Sequence, residues 1–257
     1  PTAILTTATV VAGLVITRAG WGTEQLIVPG VGYVPASSIE LWNQFLGSWH
    51  AVGIGSDQPS HPLTALVAVL SLVTAANPSI FVVLLSAFGP WLAALSLQFS
   101  LRSVLTHLPS RVWLAGLYGL SPTVLVAAAN GDIAVTLAAI VLPLTFVVAR
   151  RAQESWRAAA LSGLAIAVLA SIWPATWLIV IGLFVLLLVR VKPNSEIRWR
   201  YGAAILWSIG LLLPWSLQAI TRPLSMFRQF GVTSENVAPA WQVIFGADRA
   251  DSATPWF

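Results

Sequence analysis

Residues 150–200 decide the fold and read RRAQESWRAAALSGLAIAVLASIWPATWLIVIGLFVLLLVRVKPNSEIRWR. Two apolar runs, at 158–172 and 175–189, are separated by Trp173 and Pro174, and basic residues flank the pair on both sides. Together the runs make about 48 Å of helix at about 1.5 Å per residue, too long for one ordinary bilayer crossing. One long span would also place the two basic groups on opposite faces, against the positive-inside bias. The pattern therefore predicts a hairpin of two short helices with both basic groups in the cytoplasm.

Composition excludes a water-soluble globule. Of the 257 residues, 57% are hydrophobic and only 9% are charged, whereas soluble domains carry about 25% charged residues. The absence of cysteine excludes a disulfide framework and a thiol nucleophile. The net charge of +4 comes from few, scattered residues. We therefore interpret the charges as topology signals and predict no nucleic-acid partner.

Other apolar runs outside the hairpin are also long enough to cross a bilayer. They cover residues 3–17, 79–101, 112–129, 133–149 and 202–220. With the basic groups of the hairpin inside, nine of the 13 basic residues lie inside and seven of the nine acids lie outside. The predicted fold class is therefore all-α, a polytopic membrane helix bundle with about seven transmembrane helices.

This topology leaves a long extracytoplasmic first loop at residues 18–78 and an extracytoplasmic C-terminal segment at 221–257. Glycine and proline in the loop predict ordered irregular structure with a short helix around 38–49. The apolar run at 61–76 would reverse the topology if it crossed the membrane, so we predict an interfacial or half-inserted helix. That helix is expected to break at Asn77-Pro78.

We expect one membrane module over residues 1–257, integral to the cytoplasmic (inner) membrane. The chain opens at Pro1 without an initiator methionine, so we expect a fragment of a longer protein. A basic region followed by a small-residue cleavage site is missing at the start, which argues against a signal peptide.

The residues that could carry chemistry are acids on the predicted outer face: Glu24, Glu40, Asp57 and Asp132. The sequence contains no GxxxxGKS or GxxxxGKT, GxGxxG, HExxH or GxSxG pattern. Asp132 opens a predicted helix, where a carboxylate can simply cap free N–H groups. Beside an interfacial cavity it can also act as a base, metal ligand or substrate anchor. For the loop acids, a solvated charge or a turn residue is the plain alternative.

The order of features resembles membrane glycosyltransferases of the GT-C fold. Those proteins have an outward first span, a long extracytoplasmic loop, an hPPL-like motif, a basic turn, an sP-containing stretch and an Asp that opens an inward helix. The corresponding residues here are His61-Pro62-Leu63, Leu101-Arg102, Ser121-Pro122 and Asp132.

A closer similarity is to the membrane portions fused to family-two glycosyltransferases in actinobacteria. Their LWxxYxxxWHxVGxGSxxPxPP pattern is similar to residues 41–62, LWNQFLGSWHAVGIGSDQPSHP. Two departures stand out. The GRLG-like turn of these membrane portions is replaced by Asn130-Gly131-Asp132-Ile133. The acidic pair that GT-C enzymes often carry after the first span is replaced by Glu24 alone.

The resemblance implies transfer of a sugar from a polyprenyl-phosphate donor to an envelope glycan or lipid acceptor on the outer face. The implied substrate-binding residues are Arg18, His50, His61, Arg222 and Arg228. One of the four acids named above would deprotonate the acceptor hydroxyl. No cofactor is firmly implied, although a divalent cation that shares the phosphate stays open.

Two other functions stay open at this point. One is a non-catalytic GT-C-like module that binds lipid or glycan, or helps assembly, beside a partner glycosyltransferase or another membrane protein. The other is a transporter of a lipid-linked sugar, which would need charged or polar groups near the bilayer midplane. The apolar runs contain almost none beyond Ser, Thr and Gln98.

Overall fold

The structure is a computed structural model that describes residues 2–18, 26–28, 32–47, 61–173, 176–190, 196–213 and 216–217. These residues are mostly helical, as the predicted all-α class requires. The helices are α1 (Thr2–Thr17), α2 (Ser38–Leu46), α3 (Pro62–Leu70), α4 (Pro78–Ser100), α5 (Leu108–Gly119), α6 (Pro122–Ala129), α7 (Ile133–Arg151), α8 (Trp156–Ile172), α9 (Thr176–Arg190) and α10 (Glu196–Leu211), and the strands are β1 (Leu26–Val28) and β2 (Gly32–Val34).

Two of the described helices are long and apolar enough to cross a membrane: α7, and α4 with the turn that follows it, Pro78–Ser103. The pair α5 and α6 makes a third candidate if it is one broken span, bent by 45°. The other predicted spans form helices of 15 to 17 residues. At about 22 to 26 Å these helices are shorter than the roughly 30 Å hydrocarbon core. The number of about seven spans therefore stays a prediction.

The first loop contains an antiparallel pair of short strands that the sequence analysis did not predict. Strands β1 and β2 pair with Ile27 opposite Tyr33. The helix predicted around 38–49 is present as α2. It begins at this point because the Ser37 hydroxyl accepts the backbone N–H of Ile39, at 3.2 Å, as an N-cap does.

The interfacial segment predicted from the sequence forms α3, which continues as a 3-10 turn at Ser71–Thr74. Ala75 and Ala76 then adopt left-handed φ angles of 54° and 60° and end the turn. Asn77 caps α4 with its side-chain oxygen, and Pro78 takes the first helical position, where no N–H is needed. The predicted break at this dipeptide is therefore confirmed, whereas the interfacial location stays a prediction.

Contacts divide the chain into two compact units with the boundary inside α7, between Ile140 and Val141. The first unit carries α1 to α6 and the start of α7, and the second carries the rest of α7 with α8, α9 and α10. The region that we predict to be one module therefore comprises two units by its contacts.

Helices α1 and α4 run antiparallel within the first unit. Gly13, near the end of α1, lies against the carbonyl of Ala87 in the first half of α4. Thr2, at the start of α1, lines a small cavity together with Gln98 near the end of α4. A side chain at position 13 would collide with the α4 backbone, so this glycine lets the two helices approach closely.

Helix α7 runs parallel to α4. Gly89 makes room for the methyl group of Thr136, and further along the two helices Ala93 and Ala139 share one apolar cluster. The N-termini of α4 and α7 therefore lie at the same end of the first unit. The C-terminus of α1 lies there too, because α1 is antiparallel to α4. We call this the Asp132 end.

Helices α8 and α10 run parallel to each other in the second unit. The indole N–H of Trp156, which opens α8, donates to the carboxylate of Glu196, which opens α10, at 3.2 Å. Further along, Gly163 lies against the carbonyl of Ala204. Because α8 and α10 are parallel, the chain must reverse direction between them, and α9 is the helix that lies between them in the sequence. This arrangement agrees with the predicted hairpin and brings the basic residues before α8 and at the start of α10 to one end of the unit.

Candidate functional site

Asp132 lies in a tight turn that ends α6 and starts α7. Gly131 has a positive φ of 61°, and the backbone N–H of Asp132 donates to the carbonyl of Ala127 at 2.8 Å. The Asp132 Oδ1 atom accepts the backbone N–H of Val135 at 3.1 Å. The predicted helix cap is therefore confirmed. Asp132 is only 3% exposed, so this carboxylate is buried in the protein.

The depth of Asp132 follows from its neighbours on α4. Thr136 packs against Gly89, so these two residues lie at the same height along their helices. Asp132 lies four residues before Thr136 and is about 6 Å closer to the N-terminal end of α7. Helix α4 extends from Gly89 back to Pro78, which is about 16 Å. Measured along the helix axes, Asp132 therefore lies about 10 Å further into the unit than the first residue of α4.

Arg18 follows α1 at the Asp132 end and is exposed. It continues an apolar face of α1, on which Ile4, Val11 and Val15 are 76%, 50% and 56% exposed. These positions are separated by seven, four and three residues, so they lie on one side of the helix. This side is an open apolar surface formed by α1 residues from Ala3 to Val15. This apolar face of α1 thus continues to the position of Arg18.

His61 caps the N-terminus of α3. Its Nδ1 atom accepts the backbone N–H of Leu63 at 3.1 Å, so the ring proton of the neutral form is on Nε2. Burial lowers the pKa of His61 from 6.5 to about 4. The imidazole is therefore neutral near pH 7, and toward a substrate it can act as a hydrogen-bond donor rather than as a cation.

Glu40 is exposed in the first turn of α2. Helix α2 packs on α3 and buries Ser38 and Leu41. The backbone N–H of Ser38 donates to the carbonyl of Ala76 at 3.0 Å, which ties the start of α2 to the segment just before α4. Glu40 is therefore a solvent-accessible acid in the layer that adjoins the start of α4.

The remaining predicted site residues lie outside the described residues. They are Glu24, His50, Asp57, Arg222 and Arg228. Among the predicted residues that the structure does describe, Arg18 and Asp132 share one end of the first unit, and Glu40 and His61 belong to the α2–α3 layer attached to it. No group of three or more His, Asp or Glu side chains that could hold a metal ion occurs in the described part of the chain.

Ser86 and Asn130 are polar residues that the sequence analysis did not single out. Ser86 is 1% exposed, and neither its hydroxyl nor the Asn130 amide nitrogen has a hydrogen-bond partner among the described residues. Ser86 precedes Gly89 by three residues, which places it at about the depth of Asp132. The sequence signal that could have drawn attention to this turn of α4 is Pro90. A proline four residues after Ser86 has no N–H to donate to the Ser86 carbonyl. Buried polar atoms without a protein partner commonly bind water or a ligand.

Comparison with known proteins gives no family assignment. No protein-family model matches the sequence, and no curated protein matches it.

Proposed function

We propose that this chain is a membrane glycosyltransferase module that uses a polyprenyl-phosphate-linked sugar. The sugar would be transferred to an envelope glycan or lipid acceptor on the outer face of the cytoplasmic membrane. The observation that carries the proposal is the exposed apolar face of α1, which continues to Arg18 at the same end of the first unit as Asp132. An isoprenoid phosphate has the matching form, a long apolar tail that ends in an anionic headgroup.

Each group has a distinct role in this proposal. The isoprenoid tail lies along Ile4, Val11 and Val15, and the guanidinium of Arg18 pairs with the phosphate. The accessible carboxylate of Glu40 takes the proton of the acceptor hydroxyl, a role for which Glu24, Asp57 and Asp132 stay predicted alternatives. The acceptor oxygen then bonds to the anomeric carbon of the sugar, and the bond between that carbon and the phosphate oxygen breaks. The polyprenyl phosphate leaves with the electron pair of that bond.

Two polar groups at about the depth of Asp132 have a binding role in the proposal. The hydroxyl of Ser86 and the amide of Asn130 supply hydrogen bonds to sugar hydroxyls. Asp132 holds the turn that carries Asn130 and adds a negative charge beside it. His61, which caps α3, stays a predicted substrate-binding residue.

Lipid analysis of the purified complete protein tests the proposed lipid contact of the α1 face. We expect polyprenyl phosphates to co-purify and to be lost on Val11→Trp, which changes the shape of the apolar α1 face, or on Arg18→Gln, which removes the charge. Ile179→Trp is the matched control, because Ile179 is an equally exposed apolar residue, 51%, on α9. Retention of the same polyprenyl phosphates by both α1 variants would contradict the proposed donor site.

A non-catalytic module is the second candidate, and one observation favours it. Asp132 has a complete structural role as a buried helix cap, and Glu40 suits the first turn of α2 because an acid there complements the helix dipole. Such a module would bind the same lipid beside a partner glycosyltransferase. Glu40→Gln separates the candidates: in a transfer assay with the complete protein, loss of sugar transfer supports catalysis, and full transfer with all loop acids neutralised supports the binding module.

A transporter of lipid-linked sugars receives less support from the described helices. Hydroxyl groups inside them mostly bond to carbonyls of their own helix, as Thr9 does with Leu5 at 3.0 Å and Ser100 does with Ser96 at 2.8 Å. Hydroxyls that donate to a carbonyl of their own helix do not form a polar path across the membrane.

A further inference from the structure

One end of the second unit carries a concentration of arginines. The end of α7, the start of α8 and the start of α10 meet there, because the Tyr201 hydroxyl donates to the Ala149 carbonyl at 3.1 Å and an Arg200 N–H donates to the Gln153 carbonyl. We call this region the arginine surface. Its arginines are Arg150, Arg151, Arg157, Arg198 and Arg200.

The arginine surface has an excess of positive charge. Its acids are Glu154 and Glu196, and Glu196 is already engaged by Arg200 at 2.9 Å. Arg200 also lies over the ring of Trp156, 6.0 Å from the ring centroid. Arg150, Arg151 and Arg157 are exposed, and none of them forms an ion pair within the described part of the chain. These three arginines therefore present guanidinium groups to a partner outside the protein.

Apolar and aromatic side chains border these arginines. Phe146 is 59% exposed one helical turn before Arg150, and Leu161 is 57% exposed one turn after Arg157. Residues four apart lie on the same face of a helix, so Arg150 and Arg157 each adjoin an apolar, lipid-compatible surface. Trp199 is 72% exposed in the first turn of α10. Exposed tryptophan beside arginine is typical of the membrane–water interface.

We propose that the arginine surface binds the phosphate groups of anionic phospholipids in the adjoining leaflet. The guanidinium groups pair with lipid phosphate, and the exposed Phe146 and Leu161 contact the acyl chains. This apolar border selects a lipid over a soluble phosphate, which has no tail to place against it. The inference is independent of the proposed glycosyltransferase function, because it uses only residues of the second unit.

Native mass spectrometry of the full chain tests the proposal with equal amounts of phosphatidylglycerol and phosphatidylcholine as the probes. The change is the combined variant Arg150→Gln, Arg151→Gln and Arg157→Gln. We expect the ratio of bound phosphatidylglycerol to bound phosphatidylcholine to fall by at least about tenfold, given a contribution of about fivefold per interfacial arginine. Lysine at the same three positions keeps the charge and is expected to retain the preference within about threefold.

Two single substitutions make the test independent of how well the combined variant folds. Glu154→Gln removes an exposed acid from the same end and should raise the phosphatidylglycerol preference, a change that loss of structure would not produce. Arg102→Gln is the matched control, because Arg102 is an exposed arginine outside the arginine surface, over the Phe99 ring and 5.4 Å from its centroid. It should change the preference less than Arg157→Gln does.

Three results would overturn the proposal. The first is an unchanged preference in the glutamine variants. The second is an equal loss in Arg102→Gln and Arg157→Gln, which would indicate general attraction to cationic protein. The third is complete displacement of bound phosphatidylglycerol by glycerol phosphate at equal concentration, which would indicate a site for soluble anions.

Discussion

At the scale of single residues, Asp132 combines a structural role with a proposed functional one. Asparagine caps a helix about as well as aspartate, whereas alanine loses the cap at a cost of about 0.5 to 2 kcal/mol. We therefore expect Asp132→Asn to unfold at nearly the wild-type temperature but to transfer sugar at least about tenfold more slowly. Asp132→Ala should lower both properties. Thermal unfolding in detergent and a transfer assay with polyprenyl-phosphate sugar are the two measurements.

Ser155 provides a control for the capping effect alone. Its hydroxyl accepts the backbone N–H of Ala158 at 3.2 Å and so caps α8 in the second unit. Ser155→Ala should lower the unfolding temperature without slowing transfer. If Asp132→Asn transfers sugar at the wild-type rate, the charge of Asp132 has no role, and the residue is a cap only.

His61 predicts a pH dependence of stability. Burial lowers its pKa in the folded protein to about 4 from 6.5, so the unfolded chain binds the proton more tightly than the folded chain does. The stabilisation from this site is complete above about pH 6.5 and is lost as the pH falls toward 4. We expect His61→Asn, which keeps an N-cap side chain, to make thermal stability less dependent on pH in this window.

Thermal unfolding between pH 7 and pH 4 (roughly the titration range of such a group) measures this effect. His107→Asn is the control, because His107 also caps a helix, α5, but its side chain is exposed. Equal slopes for wild type and His61→Asn would mean that protonation of His61 is not linked to unfolding.

At the scale of elements, a tyrosine on α5 supplies the hydrogen bond that a proline inside α7 cannot make. Pro143 has no N–H to donate to the Ala139 carbonyl four residues earlier, and the Tyr118 hydroxyl donates to that carbonyl instead, at 2.8 Å. Tyr118→Phe leaves the carbonyl unpaired, which should cost about 1 to 3 kcal/mol. Adding Pro143→Ala restores an N–H at position 143 and should recover much of that loss, as chemical denaturation of the four variants would measure.

Tyr201 is a matched control for the Tyr118→Phe variant. Its hydroxyl donates to the Ala149 carbonyl at 3.1 Å, but the N–H of Ala152 also donates to that carbonyl, at 3.2 Å. Tyr201→Phe therefore leaves the carbonyl with a partner and should cost less than Tyr118→Phe. Additive effects of Tyr118→Phe and Pro143→Ala would show that the tyrosine does not compensate for the proline.

Hydropathy predicted the apolar part of each helix and little beyond it. The predicted span at 202–220 corresponds to α10, which begins at Glu196, six residues earlier. Its polar first turn is helical because Glu196 contacts Trp156 and Arg200, and such contacts between distant residues are invisible to a local hydropathy average. The run at 112–129 is likewise uniformly apolar, so its pattern does not reveal the 45° bend that separates α5 from α6.

The candidate site was predictable where local chemistry decides it. The cap at Asp132 follows from an acid placed directly before an apolar helix, and the structure confirms it. Ser86 was missed because its relevance depends on α4 and α7 being parallel neighbours, with Gly89 level with Thr136. The sequence alone does not show which residues of two neighbouring helices lie at the same height.

At the scale of the whole molecule, cysteine labelling tests the topology. The chain has no native cysteine, so the background is low. Gln153→Cys, before α8, and Trp199→Cys, at the start of α10, lie at one end of the second unit, and both positions are exposed. They should be shielded from an impermeant thiol reagent in intact cells and labelled after permeabilisation, since basic flanks stay in the cytoplasm. Asn43→Cys, exposed on α2, should be labelled in intact cells.

The pattern of labelling distinguishes two kinds of error. If Gln153→Cys and Trp199→Cys are both labelled from outside and Asn43→Cys is not, the whole topology is inverted. The loop acid Glu40 would then face the cytoplasm, and transfer on the outer face would be excluded for it. If only one of the two second-unit positions is labelled, α8 and α10 do not enter the membrane from the same side. That result would contradict their parallel packing, which depends on the Trp156–Glu196 contact, and the arginine surface would not exist as one site.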